Sequence, residues 1–168
     1  LGNLFENVRK QGALNLDGSS WSEVHDNGSL DFGTGSFTLE AWAKVKYVNQ
    51  GSSYNVLFNL GGNLGSTNTA CLSTDTSGNF VFFYGASGTS SGALTEGDWV
   101  HIVGVYDGVN AIVYADGVKV VETARTPINI TNALSKKIGT DETGSRYYTE
   151  PIAQPRIYNR ALSAEEIQ

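Results

Sequence analysis

The sequence predicts an all-β domain of two packed antiparallel sheets, and three observations carry that expectation. The first is composition: among 168 residues there are 20 Gly, and only 17% are charged, a balance that favours turns and strands over helices. The second is that short apolar runs, many alternating with period 2, recur along the chain between Gly-, Asn- and Asp-rich breaks. The third is the stretch from Asp98 to Val121, DWVHIVGVYDGVNAIVYADGVKVV, in which three runs of Val, Ile and Tyr are separated by Asp107-Gly108 and Asp116-Gly117. A type I′ hairpin turn needs φ > 0 at both central residues, which Gly adopts freely and Asp tolerates. The stretch reads as a three-stranded meander near the centre of the fold. Its first run places Trp99, His101, Val103 and Val105 on one side and Val100, Ile102, Gly104 and Tyr106 on the other. Both sets are largely apolar, so this strand is expected to be covered on both faces.

The other elements follow in order. Leu1–Gln11 has no clear period and reads as a lead-in or linker, leaving 12–168 as one domain. GALNLDG (12–18) alternates and ends on an Asp-Gly turn, with WSEV (21–24) as its expected hairpin partner; 25–35 is loop. SFTLEAWAKVK (36–46) is the clearest strand. Phe37, Leu39, Ala41, Ala43 and Val45 form an apolar face, while Thr38, Glu40, Lys44 and Lys46 make the opposite face polar apart from Trp42. YNVLFNL (54–60), TACLSTD (69–75) and NFVFFYG (79–85) read as strands, and the Gly/Ser-rich 86–97 as a surface connection. PINITNAL (127–134) is ambiguous. A short strand is expected at Lys137–Gly139 within a long turn, and a last one around Ile152–Tyr158. Ser163 and Glu166 have the spacing of a capping box, the one credible helix start. About ten to thirteen strands imply two packed sheets. The chain is too long for an immunoglobulin domain and lacks its Cys–Trp–Cys framework, which favours a jelly roll.

Composition also sets limits. One domain of this length buries about two-thirds of its unfolded surface. A net charge of −6 and the absence of any basic run argue against nucleic acid or an anionic membrane surface as partner. No apolar stretch is long enough to insert in a bilayer. The single Cys71 cannot form an intrachain disulfide and reads as a small buried hydrophobe. The sequence holds no Met and no signal peptide, so the chain is expected to be a processed product or the ordered part of something longer.

The ordered set GALNLDG, FTLEAWAKV, GDWVHIVGVYDG, IVYADGVKV, IGTDETG and RIYNRALSAEEI resembles the laminin-G-like, concanavalin A-like lectin/glucanase superfamily, and most nearly its bacterial and phage LamG modules. The likeness covers roughly residues 12–168. It implies a two-sheet antiparallel jelly-roll sandwich and a binding module for carbohydrate or protein surfaces, in many members with one Ca²⁺. Glycoside hydrolases in the superfamily use a Glu-x-Asp-x-x-Glu strand to set two carboxylates on one face. That spacing does not occur here, so no catalytic residue is assigned and the chain is not expected to be an enzyme. His25 and His101 with one Cys make no zinc site, and His101 reads as a packed, hydrogen-bonded structural residue. No cofactor is required. For Ca²⁺, Asp17, Asp26 and Asp141 are the candidate ligands, but Ser19-Ser20 and Gln154 stand where family members often carry further Asp, which weakens such a site.

A sugar-binding face needs exposed aromatics to stack on pyranose rings and polar groups for the hydroxyls. The candidates are Trp42 with Glu40 on the polar face of the 36–46 strand, and Tyr147-Tyr148 in a loop without strand period, read as the most exposed aromatics. Two function classes follow. The first is an adhesive or decoration module of a phage head or tail-fibre protein, at the virion surface or otherwise extracellular. Its partners would be other copies, virion proteins and a glycan or cell-surface polysaccharide. The alternative is a carbohydrate-binding module of a secreted bacterial protein; a glycoside hydrolase is disfavoured.

Overall fold

The computed structural model describes residues 12–25, 27–47 and 53–168; the expected lead-in at 1–11 and the candidate ligand Asp26 lie outside them. The strands are β1 (Ala13–Leu14), β2 (Ser22–Val24), β3 (Phe37–Lys44), β4 (Tyr54–Asn59), β5 (Ala70–Asp75), β6 (Asn79–Tyr84), β7 (Ser87–Ala93), β8 (Trp99–Tyr106), β9 (Asn110–Ala115), β10 (Val118–Ala124), β11 (Lys136–Ile138) and β12 (Ile152–Tyr158), followed by one helical turn, α1 (Ala164–Ile167). They form two six-stranded antiparallel sheets, β1-β12-β3-β8-β9-β10 and β2-β11-β4-β5-β6-β7.

The inner faces of the two sheets meet in one apolar core. From β3 it takes the five residues of the expected apolar face, Phe37, Leu39, Ala41, Ala43 and, just beyond the strand, Val45, all buried. From β8 it takes Val100, Ile102 and Tyr106. The opposite face of β8 is covered as well: Val103 and Val105 pack with Ile112, Tyr114 and the C-terminal Leu162 and Ile167. Glu166 accepts a hydrogen bond from the Ser163 N–H at 2.9 Å and a two-pronged one from Arg160, which fixes the turn that carries Ile167. Cys71 is fully buried, and burial pushes its thiol pKa well up, with the Asp141 charge adding to the rise; it behaves as a small apolar side chain.

Gly104 shows why the sandwich closes where it does. A Cβ there would lie 2.8 Å from the Phe82 ring of the facing sheet, so the absent side chain is the space that ring occupies. Gly104→Ala is expected to destabilise the domain by about 1–3 kcal/mol, read by chemical denaturation; no change would show that the ring has room to shift.

The structure departs from the sequence expectations at three places. The segments 12–18 and 21–24 are not hairpin partners: β1 pairs with β12 and β2 with β11, in opposite sheets. The turn between them is held by Asp17 and carries the chain across the sandwich, with Leu16 buried in the core on the way. The expected surface connection at 86–97 contains the edge strand β7, which pairs with β6 through its backbone and buries little beyond Thr89. Of the two Asp-Gly pairs in the meander, Asp116-Gly117 alone has both residues at positive φ, +50° and +79°. Asp107-Gly108 belongs to a longer loop in which the Asp107 carboxylate accepts from the N–H groups of Val109 and Asn110 at 2.8 and 2.6 Å.

Candidate functional site

β3 and β8 pair along their whole length, with Trp42 opposite His101 and Lys44 opposite Trp99. Side chains alternate along a strand, so Trp42, Lys44, Trp99 and His101 project from the same outer face, the two indoles as diagonal neighbours. Both Trp are partly exposed. The imidazole of His101 lies against the Trp42 indole with ring centroids 5.0 Å apart at 32°.

Glu40, two residues before Trp42, is the anchor of this face and not a free sugar ligand. Its side chain is only 11% exposed. Oε1 is bonded to His101 Nε2 at 3.0 Å and accepts from Arg156 Nη1 at 3.1 Å, while Oε2 accepts from the Tyr158 hydroxyl at 2.7 Å. Burial alone would raise the Glu40 pKa, but the hydrogen bonds from His101 and Tyr158 and the Arg156 charge outweigh it and hold the carboxyl below its ordinary value of 4.5. A carboxyl so held stays ionised. It is therefore unsuited to general-acid catalysis, which needs a raised pKa. The network instead positions His101 under Trp42 and extends the half-exposed Arg156 towards Gln154 at the edge of the platform. Gln154 has φ +49° at the bulge where β12 shifts register against β3, and its exposed side chain joins the rim. Beside Trp99 a cleft of about 440 Å³ opens, walled by Leu94, Thr95, Asp98 and Asp116.

Tyr147 and Tyr148 part company. Tyr148, expected to be exposed, is fully buried in the core and donates its hydroxyl to the Lys44 carbonyl at 2.7 Å; burial drives its pKa strongly upward. Residues 146–147 run beside β4, with Val56 N–H bonded to the Arg146 carbonyl. That short strand-like pairing turns successive side chains to opposite sides, Tyr148 inward and Tyr147 outward. Tyr147 meets the exposed Trp21, centroids 6.1 Å apart.

Asp17 and Asp141, the two expected Ca²⁺ ligands among the described residues, are spoken for by their own loops. Asp17 Oδ1 accepts from Ser19 N–H, Ser19 Oγ and Ser20 N–H, each at 2.9 Å. These bonds, the Ser19 backbone first, hold its pKa at about 2. Asp141 is completely buried. Burial would raise its pKa, but hydrogen bonds from Ser145 N–H, Thr143 and Arg146 keep it low. A guanidinium occupies the place a cation would need, and among the described residues no three His, Cys, Asp or Glu side chains gather to hold a metal. Asp17 and Asp141, each bonded within its own loop, do not supply the six to eight oxygens that Ca²⁺ takes.

Trp99, Arg156 and Tyr158 were not singled out as site residues from the sequence. For Trp99 a signal was present: the alternation of its strand puts it on one face with His101.

A family model described as Concanavalin A-like lectin/glucanases superfamily matches residues 16–168. No curated protein matches the chain. Among solved structures, a protein from Bacteroides ovatus ATCC 8483 described as a candidate carbohydrate binding protein superposes with a TM-score of 0.67 at 17% identity, over 93% of this chain and 44% of that one. The binding domain of Paraclostridial Mosquitocidal Protein 1 gives 0.70 at 21% identity, over 92% and 42%. Domain 4 of AbnA, a GH43 extracellular arabinanase from Geobacillus stearothermophilus solved in complex with arabinotriose, gives 0.65 at 18% identity, over 92% and 74%. The chain spans less than half the length of the first two. At these identities the likeness establishes a shared sandwich fold.

Proposed function

The chain belongs to the Concanavalin A-like lectin/glucanases superfamily, and from that membership and the face just described we propose that it is a non-catalytic, glycan-binding module. The observation that carries this reading is the pair of outward indoles, Trp42 and Trp99, on the rigidly paired strands β3 and β8. An aromatic plane fixed on a sheet stacks on the C–H face of a pyranose, and Lys44, Gln154 and Arg156 around it can reach ring hydroxyls. The names of two structural neighbours, the Bacteroides ovatus carbohydrate binding protein and the arabinanase domain solved with arabinotriose, support the same reading. The buried, ion-paired state of Glu40 supports its non-catalytic half.

Trp42→Ala and Trp99→Ala are each expected to weaken binding of the preferred oligosaccharide by about 30-fold, the roughly 2 kcal/mol typical of a buried aromatic contact, with the fold intact by circular dichroism. Glycan-array screening followed by titration calorimetry measures this. If both variants bind as the parent does, the platform is not the site.

Within this reading we place the module on a phage particle, as an adhesive domain, rather than in a secreted bacterial protein. The support is the closing RIYNRALSAEEI phrase. The full-length protein is then expected to sediment as a symmetric oligomer; a monomer joined to a catalytic domain would assign it to a secreted protein instead.

A further inference from the structure

Charge pairing across the molecule singles out one cation. Each of the other described lysines and arginines has a carboxylate oxygen within 3.5 Å. Arg125 has none. Its Nη2 donates to the Gly88 carbonyl at 2.7 Å and to Thr89 Oγ1 at 2.9 Å, both neutral acceptors on β7. Nε is buried without a hydrogen-bond partner, and Nη1 makes no hydrogen bond among the described residues. Arg125 sits at the end of β10, where the edge of one sheet lies against β7, the edge of the other.

At this seam a cleft of about 300 Å³ is lined by Arg125 together with Thr67, Ser87, Thr126 and Ile128. That is the lower end of the range of small-molecule sites. A guanidinium partly withdrawn from water and lacking a counter-charge attracts an anion, and its planar donors match a carboxylate. The neighbouring Thr and Ser hydroxyls suit sugar hydroxyls, and Ile128 offers an apolar wall. The net charge of −6 opposes a long polyanion, which restricts the fit to one acidic unit.

We propose that this seam cleft binds the carboxylate of a single uronic-acid residue, with Arg125 as its counter-ion. The ligand class rests on the glycan-binding reading above; the site is separate from the Trp42–Trp99 platform.

The test is calorimetry of the whole chain with trigalacturonate and with its fully methyl-esterified form, which has the same sugar backbone without charge. The acid is expected to bind at least 10-fold more tightly than the ester. Two variants remove that preference. Arg125→Gln deletes the charge, and Ser87→Glu sets a carboxylate at the exposed cleft wall while leaving both Arg125–β7 bonds in place, so it covers the case in which Arg125→Gln does not fold. Trp42→Ala is expected to leave the acid-to-ester ratio unchanged, even where it weakens both ligands. Equal binding of acid and ester, binding of neither, or a preference that survives Ser87→Glu would overturn the proposal, whatever becomes of the platform. Displacement of trigalacturonate by inorganic sulfate at equal concentration would overturn the assignment to a sugar carboxylate and leave a general anion site.

Discussion

Tyr148→Ala is expected to destabilise the domain by about 3–5 kcal/mol, the usual cost of truncating a large buried aromatic to alanine. Tyr147→Ala, one residue earlier, should cost about 1 kcal/mol or less. The contrast follows from side-chain direction. Tyr148 is fully buried among the residues between the sheets, and its hydroxyl satisfies the Lys44 carbonyl at the end of β3, opposite Trp99 at the start of β8. Tyr147 rests against Trp21 at the surface. Tyr148→Phe keeps the ring and drops only the hydroxyl, for about 1 kcal/mol. At roughly 2–4 °C per kcal/mol for a domain of this size, Tyr148→Ala lowers the Tm by about 10 °C. A melting curve within a degree or two of the parent would show that the core does not depend on this ring.

Glu40→Ala is the second large effect, about 3 kcal/mol. Breaking a buried charge network from one side costs about 3–5 kcal/mol because the partners are stranded. The lower end applies because Arg156, half exposed at 51%, can turn to water. His101 and Tyr158 cannot do so as freely, so the platform beneath Trp42 loosens and glycan affinity falls with stability.

The same network gives a pH dependence with a definite sign. Glu40 has a folded pKa below its ordinary 4.5. Its contribution is therefore complete above the unfolded value and is lost as pH falls through the lower, folded value. Glu40→Gln should then cost most near neutrality, and its gap from the parent should narrow as the solution is acidified below about pH 4.5. Urea denaturation of both proteins across that range measures the gap; a gap independent of pH would mean that Glu40 is not held ionised by its neighbours.

Legibility differed between elements for physical reasons. The alternation of β3 was visible because one side of that strand is uniformly core and the other mostly polar. β12 was legible as a run around Ile152–Tyr158, and the meander β8–β9–β10 from its Asp-Gly pairs. β7 was not legible, because an edge strand of Ser, Gly and Thr is specified by the backbone of its neighbour more than by its own side chains. The pairing of β1 and β2 was missed because a short apolar pair beside a turn does not say which sheet it joins. In the candidate site, Trp42 stood out as an aromatic on a polar face. Its support did not, since His101, Arg156 and Tyr158 lie 61, 116 and 118 residues from Glu40. Tyr148 was misjudged because a loop-like composition hid a local pairing with β4. Arg125 gave no signal at all: its lack of a carboxylate partner exists only in three dimensions.

The placement of β12 between β1 and β3 has a consequence for the order of events at the ribosome. β3 is among the first strands made, yet one of its two flanks stays bare until Ile152–Tyr158 emerge more than a hundred residues later. During that interval β3 can be paired on its β8 side alone, and β1 has nothing to pair with. Such distant pairings fold slowly, on the scale of milliseconds to seconds, and unpaired strands invite contact between nascent chains. The final strand and the turn carrying Leu162 and Ile167 thus act as the clasp of the sandwich, and a chain halted before them would be expected to aggregate.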